Sequence, residues 1–193
     1  MTETGPNSVG SCSNVDRDGK GSWDNPTNAE TQDGNFAYED IAKDTYTDWL
    51  RCVNFGFAID EVEQIDGIEV EIDWYAESTD VDEDSIRLVL DGVVKGDEKS
   101  TGANVGTIND DNYNSSFGGV ADDWNASLTA ANINDATFGV QISVKNDQRG
   151  QSRQCRIDHV QITIAHHSTG GVIQYSEKKI NKLINGKINE GIN

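Results

Sequence analysis

The sequence predicts an all-β fold, an antiparallel β-sandwich of jelly-roll type with an extended N-terminal arm and a short C-terminal tail. Three observations predict it. Apolar residues recur at every second position in several short runs, so each run buries one face. Turn dipeptides punctuate the chain at Asp66-Gly67, Asp91-Gly92 and Asn185-Gly186. Helical spacing is almost absent between residues 35 and 165.

Taken in order, residues 1–34 are rich in Gly, Ser, Asn and Asp and read as an extended arm or an irregular lead-in. Trp23 and Pro26 are placed to lock that arm onto the body, with Asn25 restricted by the proline after it. Trp49, Val53, Phe55 and Phe57 form one apolar face, interrupted by Arg51. Ile68, Val70, Ile72 and Trp74 alternate with Glu69, Glu71, Asp73 and Tyr75, the clearest half-buried strand. Ile86, Leu88 and Leu90 repeat the pattern, and Asp91-Gly92 before Val93-Val94 is the best hairpin turn. Thr129 is placed to cap a short helical turn ending at Asp135. Phe138, Val140, Ile142 and Val144 form another apolar face, as do Val160, Ile162 and Ile164. Pro6 and Pro26, the only prolines, are expected outside the strands. Glycines within Phe55-Gly56-Phe57 and Phe138-Gly139-Val140 mark places where another backbone approaches. Trp124, near Gly118-Gly119, is expected to plug one end.

Many short strands with one clear hairpin imply two packed sheets with long crossovers. The body is therefore placed at 35–168, the arm at 1–34 and a Lys/Ile-rich tail at 169–193. In that tail Ile180, Leu183, Ile184 and Ile188 have near-helical spacing, while Val172–Tyr175 reads equally as a strand.

Charge narrows the function. The chain has 193 residues, with 34 acidic and 15 basic side chains and a net charge of −19. Residues 1–170 carry 32 acidic and 11 basic groups, whereas 171–193 carry four Lys and two Glu. A body of this sign repels phosphate backbones, so direct nucleic-acid binding is not expected. It suits saline or cation-rich surroundings, where screening is strong. No apolar run is long enough for a transmembrane helix, and the N-terminus lacks the basic and apolar regions of a signal peptide. A membrane partner is not expected.

The candidate chemistry is sparse. Cys12, Cys52 and Cys155 have no metal-ligand spacing, and Cys52 and Cys155 fall in two predicted strands that a bridge can join only if their Cα atoms come close. Cys155 and His159 share a predicted strand face, without a third group to complete a nucleophilic set. His166-His167 reads as a solvated pair beside a flexible joint. Asp80, Asp82, Glu83 and Asp84 imitate half of a Ca²⁺ loop, but Ser85 and Asp91 stand where such a loop needs Gly and Glu. A solvated loop is the expectation there. Asn109–Asn112 and Asp122-Asp123 are similar polar turns. Tyr75, Tyr113 and Phe117 are the aromatic candidates for a subunit contact or a sugar. No catalytic, cofactor or metal residue is assigned, and an enzyme is not expected.

Several segments together carry a resemblance. They are Trp23-Asp24-Asn25-Pro26-Thr27-Asn28, Trp49–Ile59, Ile65–Ile72, Asp123-Trp124, Phe138-Gly139-Val140 and Ile157–Ile164. Their order, over roughly residues 5–165, resembles a β-sandwich family of virion structural proteins of tailed phages and archaeal tailed viruses. The resemblance implies a tail or fibre-associated component on an extracellular particle. Its implied partners are copies of itself and other virion proteins. It transfers no catalytic residues and does not reach the Lys-rich end. The alternatives are a capsid decoration or head-fibre protein, or a calcium-dependent module for carbohydrate or host-surface glycan.

Overall fold

Period-two burial builds two antiparallel sheets that pack face to face. In the computed structural model, residues 1–18, 20–106, 114–147 and 150–169 are described. The strands are β1 (Thr2–Ser8), β2 (Ser11–Val15), β3 (Ala37–Ile41), β4 (Thr45–Tyr46), β5 (Trp49–Val53) and β6 (Glu63–Ala76). They continue with β7 (Val81–Leu90), β8 (Val93–Lys95), β9 (Asn114–Gly119), β10 (Gly139–Asn146) and β11 (Arg153–Ser168). The first sheet runs β1-β11-β6-β9, with β3 also paired to β11. The second runs β2-β5-β10-β7-β8, with β4 also paired to β10.

The core lies between them. Ile68, Val70, Ile72 and Trp74 of β6 are fully buried, as are Val160, Ile162 and Ile164 of β11. They meet Ile86, Leu88, Val140, Ile142 and Val144 from the second sheet in one cluster. Leu90 and Val93 pair across Asp91-Gly92, and both turn residues have positive φ, as a two-residue hairpin requires. Thr129 caps the short helix α1 (Ala130–Asn134) by accepting from the Asn132 N–H.

Three of the four indoles, Trp23, Trp74 and Trp124, are buried, and each Nε1 donates a hydrogen bond. Trp124 is fully buried, and its Nε1 donates to the Ile68 carbonyl at 2.9 Å. Gly118 makes room for it. A Cβ there would lie 2.4 Å from Trp124 Nε1 and 2.2 Å from the Ile68 carbonyl oxygen.

Five sequence expectations are corrected. The segment 1–34 is not an irregular arm throughout, because β1 joins the first sheet and β2 the second. Its polar residues lack alternation, yet β11 and β5 offer it open edges to pair with. Pro6 lies inside β1, at the register shift between Thr4 and Asn7 on an edge strand, where a missing N–H is tolerated. Trp49, Arg51 and Val53 share the outer face of β5, while Leu50 and Cys52 face the core. Phe55 and Phe57 fall beyond the end of β5, after Asn54 turns the chain with φ 64. They still reach the core, each about 6 Å from the Phe138 ring (6.3 and 6.1 Å). Gly56 has φ +67 with open space around its Cβ position, so it serves backbone conformation; Gly139 is the true close approach, where an added Cβ would lie 1.9 Å from the Cys52 carbonyl oxygen.

The fifth correction concerns the bridge. Cys12 and Cys52 stand opposite each other in the β2–β5 ladder and form a disulfide. Cys155 sits in the other sheet as a buried free thiol. The tail residues 170–193, and the turn at Asn185-Gly186, lie outside the described residues.

The disulfide closes a 40-residue separation and pins the N-terminal segment. Reducing it is expected to lower stability by about 2–4 kcal/mol in urea unfolding. Peptide mapping under non-reducing conditions should recover Cys12 joined to Cys52, with Cys155 alkylated only after unfolding.

Candidate functional site

The strand register assembles a platform that no single segment contains. On β11, Arg156 stands opposite Tyr38 of β3 on one side and Tyr75 of β6 on the other. The three side chains form a row across the outer face of the first sheet. One row further, Gln154 stands opposite Asp40 and donates to its Oδ1 at 3.0 Å. Arg156 Nε donates to Gln154 Oε1 and NH1 to the Tyr75 hydroxyl at 2.7 Å. Phe36 meets the Tyr75 ring edge-on, centroids 5.4 Å apart. The guanidinium lies 5.5 Å from the Tyr75 centroid and 5.9 Å from that of Phe36.

The segment before β3 walls this platform. Trp23 is buried and donates from Nε1 to the Asp48 carbonyl, and Asp24 bridges to Tyr38. The chain then turns at Asn25, which adopts φ 48 and ψ 51 rather than the extended form expected before proline. Asn is the type that tolerates this left-handed conformation. A 3-10 turn, Pro26–Glu30, follows, and Asn28 Nδ2 donates to the Phe36 carbonyl at 3.1 Å. Asp158 accepts from the backbone N–H of Gly34 at 3.1 Å and holds the loop down. The result is an open groove of about 480 Å³ lined by Asn25, Asn28, Gly34, Asn35, Phe36, Tyr38, Asp40, Gln154 and Arg156.

The other sequence candidates disperse. Tyr75 does lie on the outer face, half-buried beside Phe36 and Arg156. Phe117 is buried against Trp74, with ring centroids 5.9 Å apart, so it is a core residue rather than an exposed aromatic. Tyr113 and Asn109–Asn112 lie outside the described residues. The acidic run at 80–84 is no solvated loop, because β7 starts at Val81. Asp80 pairs with Arg153 at 2.9 Å and Asp84 pairs with Arg17. Glu83 accepts from the Thr101 N–H at 2.7 Å. Burial and the nearby Asp147 raise the carboxyl of Asp82 above its ordinary range. Asp122 pairs with Lys99 at 2.7 Å, and Asp123 accepts from the Asn125 N–H. Among the described residues, no three His, Cys, Asp or Glu side chains are grouped to hold a metal ion.

Cys155 and His159 do not form a reactive pair. A bulge between Ile157 and His159 breaks their shared alternation. Burial pushes the Cys155 thiol up to about 12, while burial lowers the His159 imidazole, whose Nε2 meets Ser8 Oγ at 3.0 Å. His166 is not solvated. It is buried near the end of β11, with Thr4 on one ring nitrogen and Glu63 on the other. His167 meets Asp66 at 2.7 Å.

Two polar clusters escaped the sequence. Arg17 lies between the Tyr46 and Trp49 rings, 4.0 and 4.2 Å from their centroids, and pairs with Asp84. This clasp ties the N-terminal segment to the second sheet. Glu39 of β3 is held by burial, and then by Asp24, Asp40 and Asp48, at a pKa of about 7. The tell-tale in the sequence is the clustering of acids around Trp23 and Tyr38, but their proximity needs the Asp24–Tyr38 bridge and the bond from the Asp48 N–H to the Gly21 carbonyl.

The described helices include none long and apolar enough to cross a membrane. No protein-family model matches the chain, and no curated protein sequence matches it.

Glu39 gives a pH prediction. Its folded pKa lies above the ordinary 4.5, so the native state binds a proton more tightly than the unfolded chain. Its share of stability is complete below the ordinary value and is lost as pH rises through about 7. Glu39→Gln is therefore expected to gain stability relative to the parent between about pH 5 and about pH 8, read from urea midpoints across that range. A constant difference across that range would contradict the burial of this carboxyl.

Proposed function

We propose that this chain is a non-enzymatic structural protein of a tailed-virus particle, a tail or tail-tip component that assembles with copies of itself and with other virion proteins. One observation carries the reading. Thr2 pairs with His166 in the β1–β11 ladder, so the first strand begins beside the point where segment 170–193 departs. That arrangement favours a block attached at one end and presented at the other.

The charge pattern supports it. Residues 171–193 carry four Lys and two Glu with Ile180, Leu183, Ile184 and Ile188, against an acidic body. A segment of that composition gains stability by lying on an acidic or apolar neighbour. The Cys12–Cys52 disulfide suits a protein exposed outside a reducing cytosol, as a particle surface is. The resemblance over residues 5–165 points the same way. Capsid decoration is the second placement, and the number of copies per particle separates it from a tail axis.

Truncation after Gly170 tests the attachment. The full chain is expected to sediment as an oligomer and the truncated chain as a monomer with an unchanged melting temperature. Equal sedimentation of the two would remove the tail from assembly. Quantitative mass spectrometry of purified particles should find the chain at a copy number set by a fibre or ring axis. Its absence from particles would overturn the reading.

A further inference from the structure

We infer that the groove around Arg156 is a binding site for a neutral saccharide. This goes beyond the particle assignment and does not rest on it, since the site is complete within one chain.

The chemistry of the walls selects the ligand. Phe36 and Tyr38 are half-buried rings that line the groove, with surface left for the C–H face of a sugar ring, and Tyr75 backs them through its contacts with Phe36 and Arg156. Asn25, Asn35 and Asp40 are exposed at the rim, and their amide and carboxylate groups match paired hydroxyls, which both donate and accept. Arg156 is fixed by Gln154 and Tyr75 through Nε and NH1. Among the described residues its NH2 has no hydrogen-bond partner, which leaves a positioned donor at the groove. The Asn28 bond to the Phe36 carbonyl and the Asp158 bonds to the loop shape this wall before any ligand arrives. A volume of about 480 Å³ falls in the range of small-ligand sites.

Charge and position exclude the competing occupants. With a net charge of −19, the chain repels an anionic polymer, and it equally repels a second copy laid face to face on this surface. The groove also lacks a buried apolar pocket for a protein anchor residue. It lies at the Arg153 end of β11, whereas the first strand begins beside His166, near the Ser168 end. Ten residues separate Arg156 from His166, about 30 Å of strand at about 3.3 Å per residue. A ligand therefore approaches the end of β11 remote from Ser168.

The test is saturation-transfer NMR on the full chain. The probes are neutral oligosaccharides of glucose, galactose, mannose and N-acetylglucosamine, with sialylated and sulfated counterparts. At least one neutral probe is expected to bind at millimolar or better affinity. Tyr38→Ala and Arg156→Gln should weaken it at least about tenfold, as loss of an anchoring contact does. Asn35→Ala, at an exposed loop position, keeps the fold and should weaken binding while leaving the melting temperature unchanged. Silence from every neutral probe would overturn the inference. So would binding that is indifferent to Asn35→Ala and Tyr38→Ala, or binding confined to the acidic counterparts. Because the readout is the isolated chain, its failure leaves the sedimentation and particle experiments untouched.

Discussion

The structure depends on one strand that pairs along both edges. β11 gives one edge to β6 along nearly its whole length and divides the other between β3 and β1. Its 16 residues need partners for both rows of backbone groups, since an unpaired buried amide costs about 1–3 kcal/mol. β6 alone satisfies only one row. The other row recruits a polar segment near the N-terminus and the short strand β3, neither of which has the apolar pattern to form a sheet by itself. The groove follows from that division, because β3 carries Tyr38 and Asp40 to the side of Arg156 and Gln154, and so does the placing of Thr2 beside His166.

Polar burial is handled locally around this frame. Asp80 and Asp84 are neutralised by Arg153 and Arg17, and Asp158 is spent on loop amides. Glu39 departs furthest from this, a half-buried carboxyl among three other acids with a pKa of about 7, and Asp82 is raised in the same direction. Arg17 shows the opposite solution. Its stem and guanidinium lie between two rings while its charge meets Asp84, so one side chain both packs and pairs. The edge of β2 is closed in the same spirit, since Glu30 accepts from the Cys12 N–H and Asn14 accepts from that of Trp23. A covered edge does not recruit foreign strands.

This division of labour explains the functional reading. The interior is apolar and its thiol is kept protonated by burial. The distinctive chemistry lies on the outer face, where aromatic rings, amides and one guanidinium surround an open groove. The two proposals draw on different ends of the same strand, the groove at the Arg153 end of β11 and the Thr2–His166 pairing at the other.

The sequence by itself determined the sandwich, the inward faces of β6, β7, β10 and β11, the Asp91-Gly92 hairpin and the Thr129 cap. Each rests on residues within a few positions of one another, where side-chain alternation and turn conformations act directly. Only the tertiary structure decided that Cys52 bonds Cys12 rather than Cys155, and that the acidic run at 80–84 enters a strand. It alone turned residues 2–15 into sheet edges and set Tyr38, Tyr75 and Arg156 in one row. Those outcomes depend on register between strands far apart in the chain. Register is fixed by the whole set of backbone pairings and by which face is buried, quantities that no local stretch of residues contains.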